Sequence, residues 1–353
     1  MEEKKVLLDV KNLRTSFFTD AGEVKSVNDV SFHVNEREVV AVVGESGSGK
    51  SVTQLSVLQL IQSPPGKIIG GEVWFEGNNL LTYSKKQMCS IRGNGISMIF
   101  QEPMTSLNPV YTIGNQLTEV LRAHNKNMSK QEAWKRGVEA LAAVGIPDPE
   151  ERMKNYPFEM SGGMRQRAMI AISVACNSKL IVADEPTTAL DVTTQAQVME
   201  LLISLVEKKG TSIIVVTHNL GLVTRYADRI YVMYAGRIVE SGTTEMLLTN
   251  PRHPYTLGLL ASVPRLDDNK NEKLVPIEGT PPNLANIPEY CSFYPRCPYA
   301  CEKCKNEAAP ELRPVGETGH SMACHLDVRG GNAQPKKGCF IKSRKFKNVF
   351  PGC

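Results

Sequence analysis

Val39-Val-Ala-Val-Val-Gly-Glu-Ser-Gly-Ser-Gly-Lys-Ser-Val-Thr-Gln-Leu-Ser-Val-Leu-Gln-Leu60 decides the fold class. The five residues Val39 to Val43 form a continuous apolar, mostly β-branched run, as expected of a strand buried on both faces. The run from Val52 onward reads as a helix. Between them lies a glycine-rich loop ending in Lys50-Ser51, the strand–loop–helix setting in which a phosphate-binding loop is built. Glycines let backbone N–H groups turn inward around phosphate oxygens, and the helix N-terminus adds partial positive charge. The candidate nucleotide ligands are therefore Gly44, Glu45, Ser46, Gly47, Ser48, Gly49, Lys50 and Ser51. Lys50 is placed for the β- and γ-phosphates and the Ser51 hydroxyl for Mg²⁺.

Two more apolar runs, Leu180-Ile-Val-Ala183 and Ile213-Ile-Val-Val216, repeat the buried-strand pattern. The first ends in Asp184-Glu185. A carboxylate at the tip of a buried strand beside a phosphate loop suits Mg²⁺, which assigns that role to Asp184. Glu185, one residue on, is the candidate general base for the attacking water, and His218, after the second run, a candidate hydrogen-bond donor to the γ-phosphate. Ile230-Tyr-Val-Met233 and Arg237-Ile-Val239 flank Ala235-Gly236 and predict a hairpin. Strand signals alternate with helical ones to about residue 245, so the core is α/β with a mainly parallel sheet. Between Glu102 and Cys176 helical stretches take over, notably Lys130 to Val144 and Met164 to Ala175, which predicts a helical subdomain over about 102–177.

Length and composition bound the rest. At 353 residues the chain suits one large core plus an appendage. With 41 Lys and Arg against 37 Asp and Glu, the net charge of +4 gives no argument for nucleic acid. No run of about 18 apolar residues occurs, and the first residues lack a signal-peptide apolar region, so a soluble intracellular protein is expected. After Pro251 the composition shifts to Pro, Asn and Cys, placing a domain boundary near Asn250. The expected layout is 1–250, 251–328 and a basic tail over 329–353. That tail holds seven Lys or Arg and no acid, and reads as disordered or as a contact for anionic lipid.

Tyr156-Pro-Phe-Glu-Met-Ser-Gly-Gly-Met-Arg-Gln-Arg167 resembles the signature segment of ABC ATPases, with Met160 and Met164 departing from its commonest form. Ser161, Gly162 and Gly163 start a helix and offer a second anion site. The resemblance implies that this site faces the phosphate loop of a second subunit, with ATP held between head-to-tail protomers. It also implies that Gln101 contacts Mg²⁺ or its water, that Ala189-Leu-Asp191 is a functional loop, and that Phe17, or its neighbour Phe18, stacks on adenine. His253-Pro-Tyr-Thr-Leu-Gly-Leu-Leu-Ala-Ser-Val-Pro264, Gly279-Thr-Pro-Pro and the cysteine-rich stretch resemble the C-terminal extension of oligopeptide and dipeptide importer ATPases. By its pattern alone, 253–264 reads as an amphipathic connecting helix.

That resemblance implies a P-loop ABC-type ATPase domain with a helical subdomain and a small Cys-rich C-terminal domain. It further implies two membrane permeases, a second and usually different ATPase subunit, an external peptide-binding protein, and a peripheral position on the cytoplasmic face. Import of metal or another small solute is an alternative. So is a soluble ABC ATPase acting on ribosomes or DNA, although such proteins carry tandem ATPase domains or long coiled coils.

Only Cys89 and Cys176 precede residue 290, while seven of the nine cysteines lie beyond it. An odd count without an export signal argues for a ligand cluster rather than a disulfide framework. Cys291, Cys297, Cys304 and Cys324 are the candidate ligands, with Cys301 competing through its two-residue spacing to Cys304. A four-iron, four-sulfur cluster is what the resemblance implies; zinc or free thiols are the alternatives. Cys339 and Cys353 read as unliganded.

Overall fold

The computed structural model describes residues 5–20, 22–102, 106–188, 191–263, 276–316 and 318–329. The strands among them are β1 Val6–Thr19, β2 Gly22–Asn35, β3 Val39–Val43, β4 Gly66–Phe75, β5 Asn78–Asn79, β6 Ile96–Ile99, β7 Leu180–Asp184, β8 Ser212–Thr217, β9 Arg229–Tyr234, β10 Arg237–Thr243, β11 Arg313–Pro314 and β12 Ser321–Met322. The chain folds as two compact units. The first comprises Met1–Leu8, Val34–Val39 and Trp74–Val216, and the second Asp9–His33, Val40–Val73 and Thr217–Cys353.

In the first unit β6, β7 and β8 run parallel, with Ile96 opposite Leu180 and Leu180 opposite Ser212. Every residue of β7 and β8 is buried, which is why each reads as an unbroken apolar run rather than an alternation. The expected helical region forms helices at Ile113–His124, Lys130–Ala143, Pro149–Arg152 and Gly162–Val174. Their starts are dictated locally. Thr112, Ser129 and Ser161 each turn a hydroxyl oxygen to the N–H three residues on, at 3.2, 3.1 and 3.3 Å. Each such cap contributes about 1 kcal/mol over alanine. Leu117, Leu121, Ala133 and Leu141 fill the seam. At Gly114 an added Cβ would stand 2.7 Å from the Trp134 ring, so glycine is what lets these helices approach.

In the second unit β3 runs parallel to β9, Val42 facing Tyr231, and β9 returns antiparallel as β10. Ala235 and Gly236 turn the hairpin with φ of 49° and 77°, the positive angles that match strand twist in a two-residue turn. The C-terminal extension joins this sheet: β12 pairs antiparallel with β10, setting Glu240 opposite Met322, and β11 pairs with β12. Another sheet carries β1 between β2 and β4. The helix Pro254–Ala261 corrects one expectation. It is buried along its whole length, not amphipathic, because Tyr255, Leu257, Leu259 and Leu260 leave no polar face. Residues 217–329 share a compact unit with the loop that follows β3.

Candidate functional site

The phosphate loop lies in the second unit between β3 and the helix Lys50–Val57. Gly49 is the N-cap, in a left-handed conformation with φ 100°, where a Cβ would stand 2.3 Å from the Ser26 carbonyl oxygen. Any other residue there is strained and clashes. Nothing lies within 4 Å of where a Cβ would sit on Gly47, so the crest of the loop is open. Lys50 is 5% exposed, and its Nζ donates to the carbonyl oxygens of Gly44 and Glu45 at 2.8 and 2.9 Å. The Ser48 Oγ is buried without a hydrogen-bond partner. An orphaned buried hydroxyl costs about 1–3 kcal/mol, and a phosphate oxygen at the loop removes that cost. Ser46 is exposed and Ser51 half-buried in the first helical turn. Phe17 is half-buried against Gly66, whereas Phe18 is 51% exposed. His218 is exposed just beyond β8.

The acids lie in the first unit. Asp184 ends β7 and is 5% exposed. Glu185 has φ 46°, a left-handed backbone that a glutamate adopts at a cost of about 1–3 kcal/mol, and strain of this kind gathers at functional sites. Its N–H donates to the Val216 carbonyl at 2.8 Å. Its Oε2 accepts from Gln101 Nε2 at 3.0 Å and from Thr188 Oγ1 at 2.9 Å. Gln101 is thus brought onto the Glu185 carboxylate. Gln166 Nε2 donates to the Pro186 carbonyl at 2.6 Å, fixing the chain that follows the acids against the helix Gly162–Val174. At that helix's start Ser161 is the N-cap and Gly162 is exposed with no atom near its would-be Cβ, so the backbone N–H groups of Gly162 and Gly163 are approachable. Asp191 caps the helix Val192–Lys209, and its hydrogen bonds with Thr194 hold its carboxyl below the usual range. Ala189 and Leu190 lie outside the described residues.

Residues 27–188 match the ABC transporter family, and 239–304 match the oligopeptide/dipeptide transporter C-terminal region. The oligopeptide transport ATP-binding protein OppD of Bacillus subtilis (strain 168) is 50% identical over 344 residues, 98% of this chain and 96% of that protein. The chain belongs to the ATP-binding subunits of oligopeptide and dipeptide ABC transporters. The dipeptide transport ATP-binding protein DppD of Lactococcus lactis subsp. cremoris (strain MG1363) is 46% identical, over 99% of both chains. Among solved structures, the dimeric post-hydrolysis ATP-binding cassette MJ0796 bound to ADP and Pi superposes with a TM-score of 0.61 at 28% identity, covering 67% of this chain and 98% of that one. As a member of this family the chain is an ATPase.

Three residues that bond to Glu185 or Glu45 were not singled out from the sequence. Thr188 could have been flagged, since it lies three residues from Glu185. Tyr255, whose Oη accepts the Glu45 N–H at 2.8 Å, gave no polar signal inside an apolar run. Arg296 forks onto Glu45 from 251 positions away.

The expected metal ligands also fall in the second unit. Cys304 and Cys324 are buried, and Cys291, Cys297 and Cys301 half-buried. Burial, then the neighbouring thiols, pushes Cys324 up to about 12. Burial likewise raises Cys291, Cys297 and Cys304, and each of these three feels the charge of at least one other cysteine in the group. Cys301 is shifted down by hydrogen bonding from the Cys304 backbone, and the two Sγ atoms are 3.6 Å apart. Among the described residues no three His, Cys, Asp or Glu side chains converge to hold a single metal ion. The basic tail with Cys339 and Cys353 lies outside the described residues.

Proposed function

We propose that this chain hydrolyses Mg-ATP to energise the import of di- and oligopeptides from the cytoplasmic face of the membrane. The observation that carries this reading is the match to the oligopeptide/dipeptide C-terminal region at 239–304, beyond the ABC transporter match at 27–188. Relatives aligned over nearly the whole chain are named for oligopeptide and dipeptide transport. In this reading residues 1–250 are the ABC domain, 102–177 its helical subdomain and 251–328 the peptide-importer extension.

The loop from Gly44 through Glu45, Ser46, Gly47, Ser48 and Gly49 cradles the phosphates, Lys50 takes β- and γ-oxygens, and Phe17 stacks on adenine. Ser51, Gln101 and Asp184 supply hard oxygen donors of the kind Mg²⁺ selects. Mg²⁺ neutralises charge on the transferred phosphoryl group when bound. Glu185, oriented by Gln101 and Thr188, accepts the proton of the attacking water at its carboxylate. His218 donates to the γ-phosphate. Ser161, Gly162 and Gly163 serve the nucleotide of a second, related subunit; a dimer is the state named for the MJ0796 cassette.

Among the described residues no helix is long and apolar enough to cross a membrane. In this reading the translocation path belongs to two permease subunits, fed by an external peptide-binding protein. Their docking surface is the helical region. Val110 and Phe158 are 72% and 67% exposed, Tyr156 and Phe158 stack at 5.4 Å, and the Ile113 N–H bond to the Asn155 carbonyl holds the two segments together. Exposed apolar residues of this density mark interaction surfaces.

The cysteine region takes a four-iron, four-sulfur cluster. The donor set suits it: Cys304 and Cys324 are buried, Cys291 and Cys297 half-buried, each feels the charge of another cysteine of the region, and thiolates are the ligands of iron–sulfur clusters.

Gentle affinity purification from native membranes, followed by mass spectrometry, tests the assignment. Recovery of two multi-span permeases, a sister ATPase and a peptide-binding protein is expected. Recovery of ribosomal or DNA-associated proteins alone would overturn it.

A further inference from the structure

We propose that Arg296 of the C-terminal extension is a positioning residue for nucleotide binding, acting through Glu45 of the phosphate loop. The contact is built, not incidental. Arg296 Nη1 donates to Glu45 Oε2 at 2.6 Å and Nη2 to Oε1 at 2.9 Å, the parallel two-bond geometry that only a guanidinium provides. The remaining donors are used as well: Nε bonds the Glu278 carbonyl at 3.0 Å, Nη2 the Ile277 carbonyl at 3.2 Å, and Nη1 the Tyr234 hydroxyl at 3.4 Å. The side chain is 4% exposed, and its guanidinium lies 5.9 Å from the Tyr234 ring centroid. A cation so enclosed has one available position.

Glu45 is pinned at all three of its polar groups. Its carboxylate is held by Arg296, its N–H by the Tyr255 hydroxyl at 2.8 Å, and its carbonyl oxygen by Lys50 Nζ at 2.9 Å. Two of these anchors come from the extension; the carbonyl is held from within the loop, by the lysine that serves the phosphates and by the Ser48 N–H at 3.2 Å. Arg296 therefore does two things for an incoming triphosphate. It fixes the carbonyl oxygen to which the Lys50 ammonium bonds, and it neutralises a carboxylate that would otherwise repel the anion from within the loop.

The test is a double-mutant cycle on the full-length chain, reading the Kd for ATP and for ADP, together with KM and kcat. Arg296→Met should weaken ATP binding about tenfold, with the loss in KM and kcat little changed. Arg296→Lys, which keeps the charge but not the fork, should fall between. Arg296→Met combined with Glu45→Gln should bind ATP better than Arg296→Met alone, because the bare carboxylate is gone. If Arg296→Met does not fold, Arg296→Lys and Glu45→Gln decide: each must weaken ATP binding, and the two effects must not add. Unchanged Kd in folded variants, with only the melting temperature lowered, would reduce Arg296 to a staple of the extension and overturn the proposal.

Discussion

Replacing Glu240 by alanine should loosen the extension as much as a large core truncation in it. Glu240 is fully buried in β10. One carboxylate oxygen accepts the Arg252 N–H at 2.6 Å and His320 Nε2 at 2.8 Å, and the other accepts the His253 N–H at 2.9 Å. Alanine strands two buried donors and the part-buried Arg252 N–H, each costing about 1–3 kcal/mol. Relief from burying a charge offsets part of that, leaving about 4 kcal/mol, a large share of the 5–15 kcal/mol typical of a domain. Glu240→Gln keeps one acceptor oxygen and should cost about 1–2 kcal/mol. Urea unfolding followed by circular dichroism gives the totals, and hydrogen exchange at residues 252, 253 and 323 locates them. An alanine variant within 1 kcal/mol of the parent, with those amides still protected, would refute the reasoning.

Three further outcomes follow from the same geometry. Glu185→Gln should lower ATP turnover by about 10²- to 10⁴-fold while ATP binding persists, read by steady-state hydrolysis against nucleotide Kd. Burial lowers His253 to about 4, outweighing the opposing pull of Glu240. Its unfolded value near 6.5 means the unfolded chain binds the extra proton, so stability is full above pH 6.5 and falls by about 3 kcal/mol as pH drops to 4. His253→Asn, which keeps an acceptor for the Tyr255 N–H, should flatten that slope in chemical denaturation. Oxygen-free purification should yield broad visible absorbance and about four iron atoms per chain, lost together in Cys297→Ser; zinc without iron would refute the cluster.

Much of the fold was legible because buried parallel strands and phosphate loops are local. β3, β7 and β8 appear as apolar runs whose limits moved by a residue or less at each end. Gly49 and the Ala235-Gly236 turn follow from backbone angles that few residues tolerate. The helix Pro254–Ala261 misled because burial on all faces depends on what packs around it, which its own period does not record. The Gln101 contact with Glu185 and the Arg296 clamp were illegible for a related reason. They join residues 84 and 251 apart, and no local rule links a surface-type arginine to a loop glutamate at that separation. The cysteines lay between these cases: their crowding was visible, their mutual distances were not.

ATP-dependent uptake of a labelled oligopeptide tests the central claim most directly. It would be measured in cells lacking this chain and supplied with either the parent sequence or Glu185→Gln. Uptake restored by the parent and absent with Glu185→Gln, despite equal amounts of protein, is the predicted result. Equal peptide uptake in all three strains would contradict the assignment of this chain to peptide import.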